Sequence, residues 1–409
     1  MRTAWLLAAA SLIAGAAHAT TLTYQAALSL AAETAPGLQA RAADVRAARS
    51  SAIAAGRLPD PRLAFGVEGF PVSGPNAGHP ERDDFSDARV GIMQDVPNGA
   101  KRRSARARAE ADILVAQVSE TAQGREVRLQ TALAWIDLFY AERRLGALDE
   151  VEKALAPLRE TATAQVASGA IRPAQTLEPE QLTAVLADRR ADLAAAVSKA
   201  HAELTRWTGD AHAEVAGDPP DYPIDAAMLH AGLDRLPALT AFDVAGRQAD
   251  ADIATAKADK RSDWGWELAY QHRDPRFGDM VMVQATVSLP LFASTRQDPI
   301  IAARTETAGR VRIEREAARR DLVATLDTGL ADHAMHHARL HRAIETLVPL
   351  AKRRADLETA AFGAGTASLS DVLQASLALA EARVDAIDRE ADVVRDGVRI
   401  VLTYGEQPP

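Results

Sequence analysis

Four stretches of about ten residues each alternate apolar and polar side chains, and they come in two pairs separated by helical runs. Residues 62–70 (RLAFGVEGF) send Leu63, Phe65 and Val67 one way and Ala64, Gly66 and Glu68 the other. Residues 85–96 put Val90 and Ile92 on one face. In the second pair, residues 263–273 align Trp264, Trp266, Leu268 and Tyr270, and residues 279–289 align Val281, Val283, Ala285 and Val287. Such length and alternation fit a strand that crosses a lipid bilayer. They also fit an antiparallel sheet packed on a soluble core. Closure separates the two. A sheet in lipid has no water to satisfy its edges and must close into a barrel, and barrels begin at about eight strands. One chain is therefore insufficient, whereas three copies make a barrel of twelve with room for a lumen.

The helical runs are the second constraint. Alanine is abundant, aromatics are only 4% and hydrophobic residues 47%, a bias towards long, closely packed helices. Residues 22–57 read as helix, stopped by Pro59-Asp60-Pro61. After the first strand pair and Pro97-Asn98-Gly99, a pattern from Lys101 to about Ala167 runs through Gly124, Gly146 and Pro157, which are expected to bend it without ending it. At 1.5 Å per residue this approaches about 100 Å, far more than a globular domain needs. A break at Ser168-Gly169 precedes helix from about Pro173 to Trp207. The plan then recurs: helix over 225–260, strands, Pro290 with a turn, helix from about Ile300 to Ala361, a break, and helix from Ser370 to Leu402. In that break Gly363 or Gly365 suits a left-handed reversal, Ser368 or Ser370 suits a cap, and Asp371 suits a first helical turn.

Gly169 and Gly365 are 196 residues apart, as are Gly209 and Gly405, Asp192 and Asp388, and Leu177 and Leu373. A duplicated unit follows. Residues 20–209 form a first repeat, with its long helix pair over about 101–207, and residues 210–409 a second, with its pair over about 300–402. Residues 1–19 read as a secretory signal peptide, with Arg2, an apolar run over 4–17, and Ala17-His18-Ala19 before Thr20. The chain has no cysteine, so packing or assembly must stabilise it. A formal charge of −9 argues against nucleic acid as a partner.

Catalytic motifs are lacking: there is no HExxH, no G-x-S-x-G and no phosphate-binding glycine loop, so neither enzymatic activity nor a cofactor is expected. His333, His337 and His341 share one helical face at i, i+4 and i+8, with His336 and Met335 beside them. Imidazoles so spaced suit copper or zinc, but no carboxylate or cysteine completes the set, which favours a solvated or inter-helix stripe. Lys101, Arg102, Arg103, Arg106 and Arg108 form a basic run, read as a solvated helix start or as a segment beside the inner face of an outer membrane, the former preferred.

With these features in place the chain resembles the outer-membrane efflux proteins of the TolC type over nearly its whole mature length. Residues 365–375 (GTASLSDVLQA) look like the family's signature at the second helical break, and Ser168-Gly169-Ala170-Ile171-Arg172 like its weaker counterpart. Residues 94–103 (QDVPNGAKRR) look like the strand-to-helix joint of the heavy-metal branch, which serves copper–silver and cobalt–zinc–cadmium pumps; Ser288-Leu289-Pro290-Leu291-Phe292 is the paired joint. One departure is the lack of the lipidated cysteine that many members of that branch carry.

The resemblance implies a mostly α chain with four barrel strands. A homotrimer would form a 12-stranded outer-membrane β-barrel and a periplasmic α-barrel tunnel. It implies a periplasmic membrane-fusion adaptor and an inner-membrane pump, of the RND type, as partners. Gly169, Ala170, Ile171, Gly365, Thr366 and Ser368 would contact the adaptor. Asp371, Glu178 and Glu180 are candidates for an acidic ring at a lumen constriction, although Asp371 serves equally as a helix-start residue. Trp264, Trp266, Tyr270 and Phe277 are candidates for the lipid interface. The expected function is a passive exit duct, with heavy-metal cations as the leading cargo, organic drugs next and secreted polypeptides third. The rivals are an envelope coiled-coil protein of structural or adhesive role and a soluble periplasmic binding module.

Overall fold

The computed structural model describes residues 20–167 and 177–405, and these form two compact units. Each unit takes segments from both halves of the chain, so the compact units cut across the two repeats.

One unit comprises the described residues up to Leu38 together with Gly124–Gly232 and Ala324 onward. Its first strand, β1 (Thr20–Leu22), pairs in parallel with β4 (Ala213–Val215). Helix α1 (Tyr24–Thr34) follows, its amide at Ala26 capped by the Thr23 hydroxyl. The core gathers around Trp135 of α3 (Gly99–Ala167), which is fully buried. Its indole N–H donates to the Leu22 carbonyl at 2.8 Å, so the largest apolar side chain of the core leaves no polar atom unpaired. Tyr24 packs edge-on at 5.6 Å and Phe139 stacks at 5.3 Å. A second cluster joins α3, α4 (Leu177–Thr208) and α9 (Leu369–Tyr404) through Leu148, Leu186, Leu193, Leu369 and Leu373. Ion pairs line the α3–α9 seam: Arg143–Glu390 at 2.7 Å, Arg144–Asp388 at 2.5 Å and Arg395–Asp137 at 2.6 Å.

The other unit comprises Gln39–Gln123 and Leu233–Val323. It holds a four-stranded antiparallel sheet in the order β2 (Arg62–Glu68), β3 (Asp87–Val96), β5 (Trp264–His272), β6 (Met280–Val287). Most of α2 (Pro36–Ala54), all of α6 (Pro237–Ala258) and the first parts of α3 and α7 (Gln297–Arg342) belong to it. All four expected strands form, each shorter by a few residues than its alternating stretch.

The helices depart from expectation at three places. The run over 22–57 is β1, α1 and α2, because Pro36 opens a new helix, where its missing N–H costs nothing. The run over 225–260 likewise divides into α5 (Ala226–Gly232), a short 3-10 turn and α6, which starts at Pro237. Third, the helix from Gln297 to Gly363 widens into a π-turn over Ala343–Leu347 before α8 (Val348–Gly363). There the Val348 amide reaches back to the Ala343 carbonyl, and Pro349 next to it removes a donor and crowds the turn behind it. Pro157 leaves α3 continuous, as expected.

Candidate functional site: an exposed apolar sheet face and a capped reversal

Cross-strand register aligns the apolar residues of all four strands on one side. Leu63 faces Ile92 and Phe65 faces Val90; Ile92 faces Leu268 and Val90 faces Tyr270; Leu268 in turn faces Val283 and Tyr270 faces Val281. The side chains on this face are exposed, Phe65 at 81% and Val283 at 71%. The opposite face is the polar one. Arg89 hydrogen-bonds both Glu68 on β2 and Glu267 on β5, tying three strands, while Gly91 and the buried Ala269 leave room beside it. A Cβ at Gly91 would meet the Ala269 methyl at 2.9 Å, so glycine is required there. Among the described residues, the outer edges of β2 and β6 have no strand partner. A sheet resting on a soluble core would hide its apolar face; this one presents it.

The four interface candidates separate into two groups. Trp264 and Trp266 stack at 6.2 Å at the start of β5. Tyr270, about 20 Å along the strand at 3.3 Å per residue, lies near its end. Its hydroxyl bonds Asp279. Phe277 follows in the turn to β6, with the Arg276 guanidinium 5.6 Å from its ring. Exposed Phe70 and Phe85, which sequence reasoning passed over, flank the β2–β3 loop at the same end, where Arg276 donates to the Glu81 carbonyl at 2.6 Å. Aromatics thus bracket both ends of an apolar band, the arrangement expected of lipid-facing strands.

The strand-to-helix joint is organised by Asn98. Its side-chain oxygen accepts from the amides of Ala100 and Lys101 at the start of α3, and its amide group donates to Asp263 and to the Ala258 carbonyl. Lys101 completes the joint, 2.5 Å from Asp263 and 2.9 Å from Asp259. Burial raises the Asp263 pKa, but the Lys101 ammonium and the Asn98 N–H groups outweigh it and hold the carboxyl below its ordinary value. The basic run is therefore not merely solvated. Arg102 donates to the Gly56 carbonyl at 2.9 Å, and Arg108 pairs with Asp252 at 2.5 Å.

At the second helical break, Gly365 adopts φ +76°, which only glycine takes without strain. The Thr366 amide reaches the Ala361 carbonyl and the Gly365 amide the Phe362 carbonyl, a Schellman closure of α8. Ser368 then caps α9 in a reciprocal box with Asp371: each side chain accepts from the other's backbone amide, at 3.2 and 2.9 Å. The Ser368 hydroxyl and amide lower the pKa of the Asp371 carboxyl. Of the two readings of Asp371, the helix-start role is the one seen in the geometry. Gly169, Ala170 and Ile171 lie outside the described residues. Glu178 and Glu180 fall in the first turn of α4, with Glu180 exposed.

The histidines do not converge. His336 turns to Asp396 at 2.6 Å and His341 to Glu345 at 2.9 Å, whereas His333 and His337 are 6.4 Å apart between ring centres. Burial pushes the His333 pKa down. Among the described residues no group of three or more histidines, cysteines or carboxylates is placed to hold a metal ion. No helix among them is long and apolar enough to cross a membrane.

No family model matches the sequence, and no curated protein matches it. Solved structures do. A membrane protein from Pseudomonas aeruginosa superposes with a TM-score of 0.80 at 15% identity, covering 93% of this chain and 90% of its own. CusC, described in terms of transmembrane channel formation, gives 0.78 at 12% identity, covering 94% and 92%. The outer membrane protein VceC from Vibrio cholerae gives 0.76 at 15% identity, covering 93% and 96%. At such identities the likeness establishes architecture: the chain has the fold of the TolC-type outer-membrane channel proteins.

Proposed function

We propose that this protein is the outer-membrane duct of a tripartite efflux system. It works as a homotrimer whose sheets close a shared barrel through lipid and whose helices line a periplasmic passage. The observation that carries this reading is the four-stranded sheet with its apolar face exposed and, among the described residues, no strand partner at either edge. Lipid covers that face at no desolvation cost, and neighbouring copies satisfy the edges. Transport is passive: a water-filled lumen conveys what an inner-membrane pump supplies through a periplasmic adaptor. The reversal at Gly365, Thr366 and Ser368, together with Gly169, Ala170 and Ile171, is the adaptor-contact surface, and its tight capping presents a fixed shape to a partner. Trp264, Trp266, Tyr270 and Phe277 mark the two lipid boundaries.

The cargo is assigned to heavy-metal cations on the resemblance of residues 94–103 to the metal branch. The histidines have no role in that assignment, since they do not assemble a ligand set within one chain. Planar-bilayer recording tests the duct. Purified protein is expected to give discrete conductance steps, and a preparation that inserts without current contradicts it. Metal tolerance of a deletion strain, measured beside its drug tolerance, tests the cargo. Loss of drug tolerance alone reassigns the cargo to organic compounds.

A further inference from the structure

The two strand-to-helix joints differ. Between β3 and α3 stand only Pro97 and Asn98. Between β6 and α7 stand nine residues, 288–296, carrying three large apolar side chains: Leu289 at 66% exposure, Leu291 at 76% and Phe292 at 67%. The turn is ordered. Ser288 and Asp263 exchange hydrogen bonds at its start, with the Ser288 amide donating to the Asp263 carbonyl at 3.0 Å and the Asp263 amide to the Ser288 hydroxyl at 2.8 Å. The Phe292 and Ala293 carbonyls accept from Thr295, Arg296, Gln297 and Asp298. Asp298 is then held by Lys260 at 2.7 Å. Hydrogen bonds thus hold both ends of the turn while its apolar side chains remain exposed.

Val281, Val283, Ala285 and Val287 occupy the apolar face of β6 at every second residue, and Leu289 follows directly on the end of that row. The Leu291 amide then bonds the Leu289 carbonyl at 2.9 Å, bending the chain at Pro290 and gathering Leu291 and Phe292 into the turn. The patch lies at the Trp264–Trp266 end of the sheet, since Val287 is the register partner of Trp264. Exposed Arg296 follows four residues after Phe292, where a cation suits lipid phosphates.

We propose that Leu289, Leu291 and Phe292 form an interfacial anchor that inserts into the phospholipid leaflet at the Trp264–Trp266 end of the sheet, fixing how deep the barrel sits. The proposal rests on the barrel reading above. Its occupant is lipid rather than a neighbouring copy, because the patch adjoins the end of the lipid-facing row beside Trp264 and Trp266 and is followed by exposed Arg296.

The chain's lack of cysteine makes single-cysteine labelling clean. Phe292→Cys, Val283→Cys and Thr328→Cys proteins would each carry a bimane label. Each is reconstituted into vesicles of phosphatidylethanolamine and phosphatidylglycerol with brominated acyl chains. Bimane at Phe292→Cys is expected to lose emission most when bromine lies near the headgroups, and at Val283→Cys when bromine lies deep. Thr328→Cys is expected to be unaffected. Quenching at Val283→Cys without quenching at Phe292→Cys overturns the anchor while the barrel stands. Aqueous iodide then tells a water-exposed turn, which it quenches, from one covered by a second copy, which it does not. No bromine quenching at Val283→Cys overturns the barrel reading itself, and the anchor with it.

Discussion

The core around Trp135 and the sheet around Val283 use the same apolar residue types for opposite surroundings. In the first, Trp135, Ile136, Leu138 and Tyr140 are buried against α1, α4 and α9, and the one indole N–H finds a carbonyl. In the second, Leu63, Phe65, Ile92, Leu268 and Val283 point outward, while Arg89 and Glu267 pair on the other side. The difference shows that amphipathic alternation fixes the strands but not which face is the inside. Exposure in the folded chain decides that, and under the proposed function the two surroundings are water for one unit and lipid for the sheet of the other.

The sharpest way to break the comparison is at the tryptophan. Trp135→Ala is expected to cost about 3–5 kcal/mol, since it leaves a large cavity and takes from the Leu22 carbonyl one of its two donors, the Ala216 amide remaining, as read by thermal melting of the purified protein in detergent. A shift within the error of the melt would show that the core is not where stability lies. On the sheet, Val283→Lys is expected to cost about 2–4 kcal/mol when folding into vesicles is measured, whereas Gln284→Lys, on the polar face, costs less than about 0.5 kcal/mol. Equal costs would mean that lipid does not distinguish the faces.

A smaller effect is expected at the joint. Asp263→Asn loses the charge that pairs with Lys101, about 1.5 kcal/mol after allowance for its partial exposure. Because the folded pKa of Asp263 lies below its unfolded value, that contribution is complete above the ordinary carboxylate range and disappears as pH falls through the folded pKa. The wild-type advantage over the asparagine variant should therefore shrink on acidification. An advantage that grows instead would rule out the Lys101 pairing. The mildest change is Ser368→Ala, which removes one cap and should weaken the start of α9 by about 1 kcal/mol, seen as faster amide exchange confined to its first turn.

Much of this was legible in the residues. The strands show because period-2 alternation persists over whole segments. A left-handed turn and a cap narrow the break to Gly363 or Gly365 and to Ser368 or Ser370, and the backbone selects Gly365 and Ser368. Strands β1 and β4 are not legible, since three residues each are too few to show a period. Pro36 and Pro237 do not mark their breaks unambiguously, because proline is as compatible with a helix's first turn as with a break, and the neighbouring alanines fit both. The Arg89 ties to Glu68 and Glu267 needed cross-strand register, which no single strand encodes. The histidine spacing promised a shared face, yet His336 and His341 found carboxylate partners on neighbouring turns or helices.

Native mass spectrometry of the protein extracted in detergent tests the central claim most directly. The expected result is a complex of three copies, released from membranes only by detergent. A single chain that stays monodisperse in buffer without detergent would contradict it.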